Sequence, residues 1–312
     1  MSLDLLVIGD ANPDILVSGA PEMPPVGQAE TLVDSGTLVL GGSAAIVAHG
    51  AARLGLSTAL AAMVGKDAAG DFMLDTLASA GVDIRGCVRH PTLPTALTVC
   101  LNRNDGDRAI LTAPGCLPAF GPEHLLARRA RHVHSASYFL QPRLARAIPA
   151  LFAQAHTDGT GTSLDTNYDP AERWRLASGL LSVCDLLLPN EAEALALSGR
   201  TDVHTAMTAL AAYGATPVVK RGSHGAVALH RQEYLAISPP NPDAGDLVDT
   251  VGAGDSFDAG FIAGWLDSGR IDTAMAWGCV CGRLSTQGIG GTATQAIAAE
   301  VRAGLAQGGI RT

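Results

Sequence analysis

From about residue 122 onward, short apolar runs alternate with stretches of helical periodicity, and this alternation limits the fold more than any other feature of the chain. The pattern predicts a helix over Glu123–Arg129, a strand over Arg131–His134, a helix over Arg143–His156, a strand over Thr162–Leu164 and a helix over Ala171–Leu181. It continues with a strand over Asp185–Leu188, helices over Asn190–Ser198 and Val203–Tyr213, and a strand over Pro217–Lys220. Strands that feed helices in this way build a mostly parallel sheet covered on both faces. The expected class is therefore α/β, with a mostly parallel central sheet flanked by helices.

The first third reads differently. Leu5-Leu6-Val7-Ile8-Gly9 is a short apolar run ending in glycine, hence a buried strand. Asn12-Pro13-Asp14 follows; an Asp just past a first strand faces the ligand crevice of an α/β sheet, or else forms a turn. Ile15–Val17, Thr31–Val33 and Thr37–Leu40 are short strands separated by Pro and Gly. Gly41-Gly42-Ser43 opens a helix of small residues that runs to Leu54-Gly55, and the glycine pair lets a ligand touch the backbone. Thr58–Val64 reads as a strand and Phe72–Ala80 as a helix ended by Gly81. Ala96–Leu101 and Arg108–Leu111 form a strand pair joined by the polar stretch Asn102–Asp107. The two irregular strand clusters, at about 13–40 and 95–112, are expected as insertions in a single domain spanning 1–312.

Composition excludes several classes. With 312 residues, 47% apolar and 16% charged, the chain can bury a large core and is not disordered. A formal charge of −9 without any basic run argues against nucleic acid as a partner. The longest apolar stretches, such as Ala59–Val64, are too short for a membrane span, and an N-terminus carrying Asp4 and Asp10 is not a signal peptide. Six cysteines in so long a chain form no disulfide framework, which fits a reducing cytoplasm. Cys279-x-Cys281 lacks a second pair and reads as small helix residues; His132-x-His134 lacks a third ligand and reads as structural. Gly65-Lys66 is followed by Asp67, so no P-loop occurs, and no G-x-G-x-x-G follows the first strand.

The chemistry concentrates in Asp249-Thr250-Val251-Gly252-Ala253-Gly254-Asp255-Ser256-Phe257. Pro239, Pro240, Asn241, Pro242 and Gly245 make a loop upstream, and residues from Phe257 onward have helical spacing. Gly252-Ala253-Gly254 thus lies where a loop becomes a helix. The first amides of a helix lack internal partners and sit at the positive end of its dipole, so such a turn binds phosphate. Asp255, in the first turn, adds a carboxylate able to take a hydroxyl proton. Elsewhere Pro189-Asn190-Glu191-Ala192-Glu193 opens a helix. Glu193 there is either a capping residue or, with Asn190 on the same face, a holder of Mg²⁺ through water. Val218 to Val227, containing Lys220-Arg221-Gly222-Ser223-His224-Gly225, is a strand–turn–strand, either a plain hairpin or a turn that lets a nucleotide approach its backbone.

Taken together, these stretches resemble the ribokinase-like (PfkB-type) carbohydrate kinases, in order and over nearly the whole chain. The motifs that match are Asn12-Pro13-Asp14, Gly41-Gly42 with its helix, Asn190-x-x-Glu193, Gly222-Ser223-His224-Gly225 and Asp249-Thr250-x-Gly252-Ala253-Gly254-Asp255. The resemblance implies an ATP-dependent kinase with a small β lid formed by the two strand clusters. It also implies Mg²⁺, K⁺ in many members, and a homodimer paired through the lid. Asp255 is then the base and Gly252, Ala253 and Gly254 the anion cradle. Asn190, Glu193, Lys220, Gly222, Gly225 and Gly278 fall on the nucleotide side, with Glu193 holding Mg²⁺ through water. Asp14, Gly41, Gly42, Ile46 and Gln141 fall on the substrate side. Asp249, Val251, Ser285 and Gly290 would surround K⁺. The chain departs from the family at Ile46, where an Asn that bonds a sugar hydroxyl is usual. It departs again at Gly278, where some members place Asn or His by the adenine. Arg143 stands near a position where members can carry an acid, and a cation there would favour an acidic substrate. Ile46 would favour a less hydroxylated substrate than ribose. The expected acceptor is a sugar or sugar-like hydroxyl. A nucleoside kinase is the alternative within enzymes, and a non-catalytic ligand-binding regulator the alternative outside them; a binder needs no base, so Asp255 argues against the latter.

Overall fold

The computed structural model describes residues 3–104, 107–239 and 247–307. Pro240, Asn241, Pro242 and Gly245 of the expected loop, and two residues of the Asn102–Asp107 connection, lie outside the described residues. In chain order the elements are β1 (Leu3–Ile8), β2 (Asn12–Ser18), β3 (Ser35–Gly41), α1 (Ser43–Arg53), β4 (Thr58–Ala61), β5 (Met63–Gly65), α2 (Ala68–Ser79) and β6 (Val88–His90). Then follow β7 (Leu97–Asn102), β8 (Arg108–Ala113), β9 (Ala130–Ser135), α3 (Pro142–Thr157), β10 (Gly161–Leu164), β11 (Leu186–Leu187), α4 (Glu191–Ser198) and α5 (Val203–Ala211). The last are β12 (Thr216–Lys220), β13 (Ala226–His230), β14 (Glu233–Ile237), α6 (Ala253–Ser268), α7 (Ile271–Ser285) and α8 (Ala298–Gln307).

Eight strands form the central sheet in the order β14-β13-β12-β11-β10-β9-β1-β4. Every pairing from β12 to β4 is parallel, and β13 and β14 close the edge antiparallel. Successive side chains of β1 go to opposite faces, as strand geometry requires. Leu5 and Val7 join a core with Phe257, Phe261 and Met275; Leu6 and Ile8 join another with Ile148 and Phe152. Each fully buried side chain of this size contributes about 1.5–3 kcal/mol, so both faces of the sheet are held by helices. A smaller sheet, ordered β3-β2-β7-β8, stands apart from the first.

Helices α6 and α7 lie very close. A Cβ at Gly260 would sit 2.6 Å from Cys281 Sγ, and one at Gly264 would sit 2.9 Å from the Trp277 ring. Cys279 and Cys281 are therefore packed helix residues, and burial pushes the Cys279 thiol up to about 12. His132 and His134 both bond Ser163 Oγ, at 2.7 and 2.8 Å, and burial lowers them to about 3 and about 4, so both are neutral.

Four expected elements differ. The helix over Ala171–Leu181 is absent apart from a short 3₁₀ turn at Leu180–Val183. The Asp169 carboxylate takes the amides of Ala171, Arg173 and Trp174, and Glu172 and Trp174 have φ of 51° and 50°. A side chain that satisfies these amides locally competes with a helix. The helix over Glu123–Arg129 is only a 3₁₀ turn, Pro122–His124. Thr31–Val33 is irregular and exposed. The strand over Thr58–Val64 breaks at Ala62, because β4 pairs with β1 and β5 with β6. Among the described residues no helix is long and apolar enough to cross a membrane.

Candidate active site

Because β1, β9, β10, β11 and β12 are parallel, their carboxyl ends open on one crevice, where α/β proteins bind ligands. Asp10 follows β1, Ser137 follows β9, Asp165 and Asn167 follow β10, Asn190 follows β11 and Lys220 ends β12. Two helices enter the same crevice by their N-termini. Asp10 anchors the first, α1, by accepting the amides of Ala44 at 2.9 Å and Ser43 at 3.2 Å. The second is α6, which begins at Ala253.

The α6 entry depends on Gly252. Its φ is 70°, a left-handed conformation, and a Cβ there would lie 2.5 Å from the Gly291 backbone. The Ala253 amide donates to the Thr250 carbonyl at 3.3 Å, and the amides that follow it in the first turn are left without helical partners, as helix geometry leaves them. Asp255 lies in that turn, and its carboxylate accepts the Ser43 hydroxyl from α1. Burial raises the Asp255 carboxyl to about 6; the Asp165 and Asp10 charges add to this, while the Ser43 bond and Lys220 pull it down. A carboxylate poised near neutrality beside an anion cradle suits a general base.

Lys220 does not face open space. Its ammonium donates to Asp165 Oδ2 at 2.7 Å and to both oxygens of Asp258, at 3.1 and 3.2 Å. Burial lowers the ammonium's pKa, but the Asp165, Asp258 and Glu193 charges outweigh it and hold it above the ordinary lysine value. Burial lifts Asp258 well above the carboxylate range, whereas Lys220 overrides burial at Asp165 and lowers it. A Cβ at Gly254 would lie 3.5 Å from Lys220 Nζ, so this cation packs beneath the cradle. Lys220, expected on the nucleotide side, is paired with two aspartates.

On the substrate side, Asp14 is buried and lies against Gly41, where any Cβ would run into its carboxyl. Burial, with Asp10 and Asp255 adding, raises Asp14 to about 7. Ile46 does not line the crevice. It is 3% exposed, and its Cδ1 lies 2.7 Å from a Cβ position at Gly291 and 3.3 Å from one at Gly252, so it supports the cradle from the core. Gln141 is fully buried and donates to the carbonyls of Ala136 and Ser137, both at 3.3 Å. Arg143 points away, bonding the Ala119 carbonyl and pairing with Glu123.

On the nucleotide side, Gly222 has open space where a Cβ would be, while one at Gly225 would strike the Ile237 carbonyl. Gly278 packs against the Phe257 ring, 2.8 Å from its Cβ position, and belongs to the helix contact rather than to an open pocket. Asn190 and Glu193 form a reciprocal capping box, each side chain accepting the other's amide at 2.9 Å. Glu193 is also raised to about 7, by burial first and then by Asp165. Asp249 accepts the amides of Val251 at 3.0 Å and Gly290 at 2.9 Å, and the Ser285 carbonyl accepts the Thr294 hydroxyl at 3.0 Å. Sequence reasoning missed Asp10, Ser43, Asp165, Asn167 and Asp258. Asp10 and Asp165 carried a usable signal, since each is an Asp directly after a strand.

A crevice at the carboxyl ends of a parallel sheet, with a helix-start anion cradle and a half-buried carboxylate in the same turn, is the arrangement a phosphotransferase needs. The sequence matches the pfkB family carbohydrate kinase model over residues 2–297, and the chain belongs to that family. It is an ATP-dependent kinase whose acceptor is an alcohol group of a sugar-type molecule. It is 34% identical over 256 residues to the ATP-dependent ribose-1-phosphate kinase of Halopiger xanaduensis, covering 78% of this chain and 79% of that one. It is 26% identical over 293 residues to the ribokinase of Haemophilus influenzae, covering 91% and 92%. The solved structure of Arabidopsis thaliana ribokinase complexed with ribose and ATP has the same fold, with a TM-score of 0.84, 24% identity and coverage of 98% and 99%.

Proposed function

We propose that the chain transfers the γ-phosphoryl group of ATP to a hydroxyl of a pentose or pentose phosphate, with Asp255 as the base. The Asp255 carboxylate, held in the first turn of α6 and raised to about 6, carries this reading. Asp14 and the Gly41–Gly42 backbone hold the acceptor's other hydroxyls. Asp255 takes the proton of the reacting hydroxyl as its oxygen bonds to the γ-phosphorus and the bond to the ADP oxygen breaks. The amide of Gly254, and that of Ala253 once it leaves the Thr250 carbonyl, take the charge on the moving group, which is where most of the rate enhancement of such a transfer arises. The small sheet covers the acceptor as a lid. Its strand β8 is exposed along its whole length, with Ile110 and Leu111 outward, which favours pairing with a second copy; a monomer in sedimentation at micromolar concentration argues against this. Six free cysteines agree with a cytoplasmic setting, and retention in a periplasmic or secreted fraction would contradict it.

The Glu193 carboxyl keeps a second oxygen beside the one that caps α4, among acids that favour a cation, so the residues fit Mg²⁺ held through water. Mg²⁺, when bound, neutralises charge on the transferring phosphates. The Asp249 loop, with the Val251, Ser285 and Gly290 backbone, fits a K⁺ ion next to the cradle. Glu193→Gln is expected to raise the Mg²⁺ concentration for half-maximal rate, and replacing K⁺ by a bulky organic cation at matched ionic strength to lower the rate. Unchanged cation titrations would leave Glu193 as a cap and Asp249 as a loop clasp.

One observation favours a phosphorylated acceptor. Arg108, on β8, reaches Thr250 Oγ1 at 3.4 Å, which brings a guanidinium to the mouth of the crevice. The likeness to a ribose-1-phosphate kinase agrees with this. In a coupled ADP-release panel of ribose, ribose 1-phosphate, fructose and cytidine, the highest kcat/KM is expected for ribose 1-phosphate, reduced about 10-fold or more in Arg108→Ala. A preference for cytidine would make the chain a nucleoside kinase, and a preference for an uncharged sugar would remove Arg108 from recognition.

A further inference from the structure

Two residues at the crevice hold backbone conformations that side chains rarely adopt, and they are bonded to each other. Ser137, after β9, has φ 54°, and Asn167, after β10, has φ 53°. Such backbone persists at functional sites where the surroundings over-determine it. Here the Asn167 amide does so. Its Oδ1 accepts the Ser137 amide at 2.7 Å, and its Nδ2 donates to Ser43 Oγ at 2.8 Å and to Asp165 Oδ2 at 3.3 Å. The Asn167 amide N–H in turn donates to Asp165 Oδ1 at 3.1 Å. Asp165 is anchored by Lys220, and Ser43 donates its hydroxyl to Asp255.

A hydroxyl has one proton and is free to rotate. With Asn167 donating into Ser43 Oγ, the Ser43 proton is directed at the Asp255 carboxylate. We propose that Asn167 is a positioning residue for the base: by orienting the Ser43 hydroxyl it fixes one oxygen of Asp255 and leaves the other for the acceptor. This rests on the reading of Asp255 as base. Asp255 is faced by Asp10 from the end of β1, Asp14 from β2, Asp165 from the end of β10, Glu193 from α4, Lys220 from β12 and Asp258 from α6. Among these Lys220 is the sole cation, and it is bonded to Asp165 and Asp258, so direct support for the ionised base comes through Ser43.

The test uses Asn167→Gly, because glycine keeps the left-handed backbone without strain and deletes only the amide side chain. kcat is expected to fall about 10- to 100-fold, the cost of a misaimed catalytic group, with KM for ATP within about twofold. Asn167→Asp, which keeps the shape but loses the donor, should match it, and adding Asn167→Gly to Ser43→Ala should lower kcat no further. A second readout needs no acceptor. In a ¹³C-carboxyl NMR titration of the unliganded protein, Asp255 should titrate about 0.5–1 pH unit higher in Asn167→Gly and Ser43→Ala, since a lost bond to the ionised form disfavours it. Wild-type kcat with an unmoved Asp255 titration, or full additivity with Ser43→Ala, overturns the proposal. Failure of every acceptor with the wild-type chain would count against the proposed substrates instead, and the titration would still judge Asn167.

Discussion

Asp255→Asn is expected to lower kcat by about 10²–10⁴-fold while ATP binding stays within a few-fold. The amide keeps an oxygen for the Ser43 hydroxyl and keeps the volume of the carboxylate, so the α6 turn and its cradle persist. What disappears is the lone pair that takes the acceptor's proton. The pH dependence follows from the same group. The base must be ionised, so in the wild type kcat/KM should rise with pH through about 6, where burial, Asp165 and Asp10 have placed Asp255. That acidic limb should be absent from the residual activity of the variant. Stability should move the opposite way. A carboxyl whose folded pKa is raised to about 6 contributes stability below its unfolded value of 3.8 and loses it as pH rises to 6. At pH 8 the ionised base is thus a burden on the order of 2–3 kcal/mol. Asp255→Asn should therefore melt higher than wild type at pH 8 and show little difference near pH 4. Near-normal turnover in the variant would remove Asp255 from the base role.

Lys220→Met is expected to produce the largest loss of stability. Replacing one partner of a buried ion pair strands the others, at about 3–5 kcal/mol. Lys220 is the counter-ion for Asp165 and Asp258, both at most 1% exposed. In the wild type the ammonium stays charged throughout the neutral range, because its folded pKa lies above the ordinary lysine value. Without it Asp165 loses what holds its pKa down, and burial raises it. A raised carboxyl is stabilising at low pH and destabilising above its new pKa, so the deficit should be small near pH 4 and full by pH 8. Thermal unfolding at the two pH values reads this directly, with a loss at pH 8 of roughly 5–10 °C for a chain of this size. Activity should fall as well, since Lys220 underlies Gly254 and lowers the Asp255 pKa. A variant as stable as wild type at pH 8 would mean that Asp165 and Asp258 discharge each other without the lysine.

Features contained in a few residues were legible before any tertiary structure. The alternation after residue 122, the helix opening at Gly41-Gly42, the capping pair Asn190 and Glu193, and the glycine turn before Asp255 each depend on local backbone freedom or local periodicity. The glycine turns and the capping pair stand in the folded chain at the expected places, and the alternation holds except for the helices expected over Glu123–Arg129 and Ala171–Leu181. The family motifs were legible for the same reason: a phosphate cradle is made by consecutive amides. Where the side chains expected by position point was not legible, because a residue number does not specify the direction of a side chain. Ile46 turns into the core beneath Gly291, Gln141 bonds the backbone behind the crevice, and Gly278 is closed off by Phe257.

The sequence by itself determined that a mostly parallel α/β sheet would present an anion-binding helix start and an adjacent carboxylate. Only the tertiary structure decided what surrounds that carboxylate. Ser43 and Asp255 are 212 residues apart, Asn167 and Ser43 are 124 apart, and Lys220 and Asp165 are 55 apart. Such pairs meet because β1, β9, β10 and β12 run in one direction and open on one crevice. Strand order is set by how the two buried faces pack, and no local pattern of apolar residues encodes it. The charge on the base, and the hydroxyl that aims it, are therefore properties of the assembled sheet.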